Sequence, residues 1–333
     1  MKISVLGAGA IGGLAAGYLK NCGQDVSLIG HPDAVNAIST GGLKISGARG
    51  DFNIAIKVLP RLVEKPDLAI LAVKTQDIDG ALRDNLEYLH DTVLLTTQNG
   101  VQADYILSKY ISTENIISSI VMFASTYLEP GRIVHNFDRS WIIGRIFPGD
   151  AQKLEELRSI LSQAFPVVTS NNILGMKYLK VFVNSTNCLL AILGASMQEA
   201  FADLDVCKIS VAIWKEGLDV VNKARVRLFS LPDFPVENIT KLTNLPSEQS
   251  AKIFSGIMTS LSKEPLYGSI LQSIKRGRSS EIDYINGEFS RLAKERDGAA
   301  PLNEKLTGMV HLVEKTGKFF SKEELLRETK GLV

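Results

Sequence analysis

The stretch Met176-Lys177-Tyr178-Leu179-Lys180-Val181-Phe182-Val183-Asn184-Ser185-Thr186-Asn187 carries amine and amide side chains at helical spacing. On a helix that advances about 100° per residue, Lys180, Asn184 and Asn187 fall within ~60° of one another, while Tyr178, Val181, Phe182 and Leu189 lie on other faces. Burying two asparagines and a lysine is costly unless each is hydrogen-bonded, so this polar stripe lines either solvent or a ligand cleft. In a cleft, an ammonium whose pKa is drawn toward neutrality by burial would stabilise a developing oxyanion and donate a proton to it. Lys177, three residues before Lys180 on a neighbouring face, is the rival for that task.

A second constellation lies at the start of the chain. Gly7-Ala8-Gly9-Ala10-Ile11-Gly12 is a complete GxGxxG between a predicted strand, Lys2 to Leu6, and a predicted helix, Ile11 to Lys20. With Asp25 to Ile29 as a second strand these make one βαβ unit, the context in which the motif binds a dinucleotide. Gly7 allows the tight turn, Gly9 leaves room for the pyrophosphate and Gly12 lets helix and strand approach, with helix-start N–H groups facing the phosphates. The acid that binds the ribose 2′-hydroxyl in NAD enzymes would stand at the end of the second strand, where this chain has Gly30-His31. Its absence favours NADP over NAD. No arginine replaces it, and His31 either stacks on adenine, binds the phosphate when protonated, or is merely exposed.

The elements that must position these residues follow from periodicity. Leu68 to Val73 and Val93 to Thr97 are apolar runs of strand length, as in buried parallel sheets, and Leu43 to Ser46 with Phe52 to Val58 reads as a hairpin. Ile116 to Phe123, Arg132 to His135 and Trp141 to Ile143 are expected to extend the same sheet, partly antiparallel. Helical periodicity takes over after the polar Ser170-Asn171-Asn172, with predicted helices over Met176 to Leu193, Asp203 to Val226, Glu281 to Arg296 and Leu302 to Lys315. The expected class is therefore α/β, with a dinucleotide-binding domain over 1–170 and an all-helical domain over 171–333.

Composition agrees and excludes other classes. At ~150 residues per domain, 333 residues make about two domains, and 45% hydrophobic with 22% charged residues is ordinary globular usage. Lys plus Arg number 37 against 36 Asp plus Glu, so the chain lacks the positive field that nucleic-acid binding needs. Cys22, Cys188 and Cys207 are far apart and form no CxxC pair, so no metal site or disulfide framework is expected and a reducing, cytoplasmic setting is the simplest. Ile3 to Leu19 is uncharged, but glycines at 7, 9, 12, 13 and 17 suit a phosphate-binding turn rather than a signal peptide, and no segment is expected to span a membrane.

Five blocks then occur in order: the GxGxxG, Val73-Lys74-Thr75-Gln76, Gln98-Asn99-Gly100, the Lys180-x3-Asn184 helix and Gly277-Arg278-Ser279-Ser280-Glu281-Ile282-Asp283. In this the chain resembles the ketopantoate reductases (2-dehydropantoate 2-reductases) from Met1 to about Val313. The resemblance implies a Rossmann-type domain followed by a helical domain like the C-terminal domain of 6-phosphogluconate dehydrogenase. It also implies a cytoplasmic enzyme, as a homodimer, reducing a small 2-keto acid with NADP(H) in a cleft between the two domains. It assigns Lys180 as the catalytic lysine, Asn184 and Asn187 as substrate-orienting asparagines, Ser269 as the group binding the substrate carboxylate and Glu281 as the group holding its distal hydroxyl. Lys74 and Asn99 would lie at the cofactor edge, beside Gly7, Ala8, Gly9, Ala10, Ile11, Gly12 and His31.

Glu281 keeps a structural alternative, because an acid in the first turn of a helix is favourable without any ligand. The chain also departs from the family. Asn187 follows Asn184 by three residues rather than four, leaving Cys188 in the usual place; Ser273 stands for Asp, Met197-Gln198 for Asn-Gly and His31 for a phosphate-binding Arg. These departures keep the reductase class and leave the substrate open between ketopantoate, another branched 2-keto acid and an opine-type imine. A cofactor sensor without turnover is the non-enzymatic alternative.

Overall fold

Short runs of β-branched and aliphatic residues, each closed by a turn or a polar helix, build the first part of the chain. The structure, a computed structural model, describes residues 1–262 and 264–333. It divides into two units, Met1–Leu174 and Gly175–Val333.

Unit 1 holds strands β1 (Lys2–Leu6), β2 (Asp25–Ile29), β3 (Leu43–Gly47), β4 (Phe52–Ile54), β5 (Lys57–Leu59), β6 (Leu68–Leu71), β7 (Val93–Thr96), β8 (Ile116–Val121), β9 (Ala124–Glu129), β10 (Arg132–Phe137), β11 (Trp141–Gly144) and β12 (Val167–Ser170). Its helices are α1 (Ala10–Asn21), α2 (Pro32–Gly41), α3 (Ile78–Arg83), α4 (Gln102–Leu107) and α5 (Ala151–Leu161). Eight strands form one sheet in the order β12-β11-β8-β7-β6-β1-β2-β5. From β5 to β8 the pairs are parallel, and β11 joins β8 antiparallel. This parallel part is the doubly wound dinucleotide-binding arrangement, whose strand order reverses between β1 and β6. Alternate residues feed opposite cores: Ile3, Val5, Leu68 and Ile70 join one cluster, Leu6, Ala69 and Leu71 the other.

The predicted single sheet is corrected at Arg132 to His135. That segment is β10 of a separate four-stranded sheet, β4-β3-β10-β9, which packs on α1. The predicted hairpin ends at Ile54, and Lys57–Leu59 crosses to pair with β2 in the large sheet. The second sheet also reassigns two glycines that the sequence reading gave to the phosphate turn. A Cβ on Gly13 would come within 2.3 Å of Ile133 Cδ1, and one on Gly17 within 2.4 Å of Ile45 Cδ1 and 3.2 Å of both Ile54 Cδ1 and Leu43 Cδ2. They keep one face of α1 flat against the small sheet. Gly17→Leu is expected to destabilise unit 1, because overpacking costs about 1–3 kcal/mol and outweighs a helix-propensity gain of ~1 kcal/mol; thermal unfolding would show a lowered midpoint.

Unit 2 is helical, with α6 (Ile173–Ser185) beginning two residues before the division. There follow α7 (Asn187–Leu193), α8 (Met197–Phe201), α9 (Leu204–Lys223), α10 (Val236–Asn244), α11 (Ser247–Ser260), α12 (Ser269–Lys275), α13 (Asn286–Lys294), α14 (Pro301–Thr316) and α15 (Lys322–Glu328). The 20-residue α9 packs against α8, α10, α11, α13, α14 and α15 and so forms the axis of the unit. Among the described residues, no helix is long and apolar enough to cross a membrane.

The single predicted helix Met176 to Leu193 is in fact two, interrupted at Thr186. Beside the break, the Phe182 carbonyl accepts from Trp214 Nε1 of α9 at 2.7 Å and from Ser185 Oγ at 2.8 Å. A tryptophan 32 residues away thus satisfies backbone that the end of α6 exposes, and periodicity alone carries no sign of it.

Candidate active site

In unit 1 the predicted cofactor residues converge at the carboxyl ends of adjacent strands. Leu6 is in register with Ile29 and Leu71, and Leu71 with Thr96, so Gly7–Gly12, His31, Lys74 and Asn99 all follow the same edge of the sheet. Gly7 has φ +118° and donates its N–H to the Ile29 carbonyl at 2.9 Å; a Cβ there would lie 2.7 Å from the Ala72 carbonyl. A Cβ on Gly12 would lie 1.9 Å from the Gly7 carbonyl oxygen. The turn therefore closes only on glycine at these two places.

Gly9 differs: a Cβ there would meet no protein atom within 4 Å. It is the N-cap of α1, with no side-chain cap, and the first turn of that helix, which includes Ala10 and Ile11, has no acid. Bare N–H groups and the positive end of the helix dipole face a space kept free of side chains, which fits a dinucleotide pyrophosphate. Ala8 explains the missing acid of the second strand, because a Cβ on Gly30 would sit 2.6 Å from Ala8 Cβ. His31 is exposed at the N-cap of α2 and makes no cap hydrogen bond.

Lys74 and Asn99 are half-buried, and between them stands a residue to which the sequence reading gave no role. Gln98 Nε2 donates to the carbonyls of Leu71 and Val73, both at 2.8 Å, and its Oε1 accepts from Thr97 N–H. One buried amide ties the loop carrying Asn99 to the loop carrying Lys74. Its place in the Gln98-Asn99-Gly100 block was the available signal.

In unit 2, Lys180 and Asn184 share one face of α6, and both are half-buried. Burial lowers the Lys180 ammonium to about 8. Lys177 is almost wholly enclosed, at 2% exposed. On the far side of α6 the Tyr178 hydroxyl donates to Glu288 Oε1 at 3.1 Å, and the wholly buried Glu288 is paired with Arg291, which fastens α6 to α13. This buried carboxylate is tolerable because both its oxygens are taken.

Asn187 does not share that helix; it opens α7. There it abuts Gly268, where a Cβ would lie 3.0 Å from Asn187 Cβ and Cγ, and Gly268 is the N-cap of the helix that Ser269 starts. Asn187 and the exposed Ser269 are thus neighbours. Cys188 is buried, accepts from Asn286 Nδ2 at 3.6 Å, and has its thiol pKa pushed far up by burial, so it belongs to the core and not to chemistry. The predicted helix over Glu281 is also corrected. Glu281 precedes a single 3₁₀ turn, Ile282–Tyr284, and α13 starts only at Asn286, so the α-helix capping role does not exist.

Comparison with known proteins places this arrangement. The family described as ketopantoate reductase PanE/ApbA matches residues 3–147, and its C-terminal counterpart matches residues 172–314. A 2-dehydropantoate 2-reductase of Pyrococcus horikoshii is 32% identical over 321 residues, covering 95% of this chain and 99% of the relative. A ketopantoate reductase structure from Ralstonia eutropha superposes with a TM-score of 0.79 at 26% identity, over 95% of this chain and 99% of that one. A D-mandelate dehydrogenase, solved with NADH and anilino(oxo)acetate, superposes at 0.81 with the same identity and coverage. With the two halves of the family matched in order over 3–147 and 172–314 and a relative 32% identical along nearly the whole length, the chain belongs to the ketopantoate reductase family.

Proposed function

We propose that this chain reduces the ketone of a 2-keto acid to a 2-hydroxy acid, with ketopantoate as substrate, pantoate as product and NADPH as hydride donor. The observation that carries the reading is the Lys180 ammonium, lowered by burial to about 8 on a helix of the family's Lys-x3-Asn pattern. A reduced nicotinamide nucleotide would be held by Gly7–Gly12 with Lys74 and Asn99 and would supply the hydride. As negative charge develops on the ketone oxygen, Lys180 Nζ stabilises it and delivers the proton, and solvent then reprotonates the amine. Asn184 and Asn187 orient the keto acid, Ser269 takes its carboxylate and Glu281 its distal hydroxyl.

The sign of the pH dependence follows. Reduction needs Lys180 protonated, so kcat for reduction should be level below about pH 8 and fall about tenfold per unit above it, while the reverse oxidation should rise through the same pH. Initial rates in both directions between pH 6 and 10 check this, and equal pH dependence of the two directions would overturn it.

A second reading keeps the chemistry and changes both partners, with NADH as donor and a bulkier 2-keto acid as substrate. It is supported by the similarity to the D-mandelate dehydrogenase solved with NADH and by His31 in place of a phosphate-binding arginine. Absorbance at the nicotinamide band, with both reduced cofactors against ketopantoate and an aryl 2-keto acid, separates the readings. Cofactor binding without turnover on any keto acid would instead favour the sensor.

A further inference from the structure

Glu281 leads into a single 3₁₀ turn, and the residues on either side of it show what ties this segment to the rest of unit 2. The Ser280 N–H donates to Glu314 Oε1 at 2.7 Å, and Ser280 is buried. Glu314 Oε2 lies 3.0 Å from His311 Nδ1, and His311 Nε2 lies 2.9 Å from Asp283 Oδ1. His311 and Glu314 are three residues apart on α14 and hence on one face. Two side chains of one helix thus grip the segment immediately before Glu281 and two residues after it, while Ile282 between the grips is wholly buried.

We propose that His311 and Glu314 form a clamp that positions Glu281 for the substrate's distal hydroxyl, so that the protonation of His311 tunes substrate affinity. This rests on the assignment of Glu281 to substrate given above. The chemistry is specific to the charged ring. An imidazolium donates from both nitrogens, one to each carboxylate; a neutral ring turns one lone pair toward a carboxylate and loses that arm. Asp283 from the turn and Glu314 from α14 are the charged groups acting on His311, and together they raise its pKa against the opposing effect of burial. Lys315, one turn further along α14, is exposed. The clamp is therefore closed below the ordinary histidine range and opens as pH rises above it.

The test measures kcat, KM for ketopantoate and Kd for NADPH in the full chain from pH 5.5 to 9, for the unsubstituted protein, His311→Gln, Asp283→Asn and Glu281→Gln. We expect KM of the unsubstituted protein to rise several-fold across the His311 titration, ahead of the loss of kcat set by Lys180. His311→Gln should hold KM about 5- to 20-fold high at every pH, with kcat and NADPH affinity within twofold. Should that variant lose its thermal unfolding transition, Asp283→Asn removes one arm only and should give a smaller rise with the same loss of pH dependence. A raised KM in Glu281→Gln, with His311→Gln and Asp283→Asn both silent, overturns the clamp and leaves the Glu281 assignment standing. An unchanged KM in Glu281→Gln overturns that assignment and the clamp with it.

Discussion

Replacing Lys180 by alanine is expected to lower kcat for keto-acid reduction by ~10²–10⁴, or roughly 3–5 kcal/mol of barrier, while NADPH binds within twofold of its original affinity. Both halves follow from where the groups sit. The glycine turn belongs to unit 1, so nothing in it changes, whereas the truncation removes an amine that burial brings to about 8. Lys180→Arg sharpens the test, because guanidinium keeps the charge but does not release its proton, so rate should stay low and the alkaline limb near pH 8 should vanish. Lys177→Ala should behave differently. That side chain is enclosed, so its loss leaves a cavity and is expected to appear first as a lowered unfolding midpoint. If single-turnover rates show Lys180→Ala unaffected and Lys177→Ala inactive, the proton donor has been misassigned.

The second large effect separates the glycines of the turn by purpose. Gly9→Val should leave the unfolding midpoint nearly unchanged, because a side chain there enters open space. NADPH affinity should nevertheless fall by ~10–100-fold, since a blocked pyrophosphate loses a charge-assisted backbone hydrogen bond of about 1.5–3 kcal/mol. Gly12→Val should cost both, because its Cβ would collide with the Gly7 carbonyl and force the turn open. Fluorescence titration with NADPH beside a thermal melt reads both quantities. A large stability loss in Gly9→Val would mean that protein packing, not a ligand, requires that glycine.

Much of the nucleotide edge was legible because it is local. A strand, a glycine turn and a helix within about thirty residues specify a phosphate-ready bend, and strands of buried aliphatic residues place Lys74 and Asn99 on the same edge. The helical part was less so. The Trp214 indole that takes up the Phe182 carbonyl acts from 32 residues away, and the α14 face that holds Ser280 and Asp283 from 34 and 28, beyond any window of periodicity.

From residues alone came the class of the fold, the glycine-built turn and the lysine with its asparagine, because side-chain period and glycine sterics act between near neighbours. Tertiary contact decided the rest: that Gly13 and Gly17 serve a second sheet, that Asn187 opens a separate helix beside Ser269, that Cys188 turns into the core, and that Ser280 and Asp283 on either side of Glu281 are tied to another helix. Such outcomes depend on which distant group satisfies a buried polar atom or fills a gap, and a burial cost is settled only when the whole unit has packed.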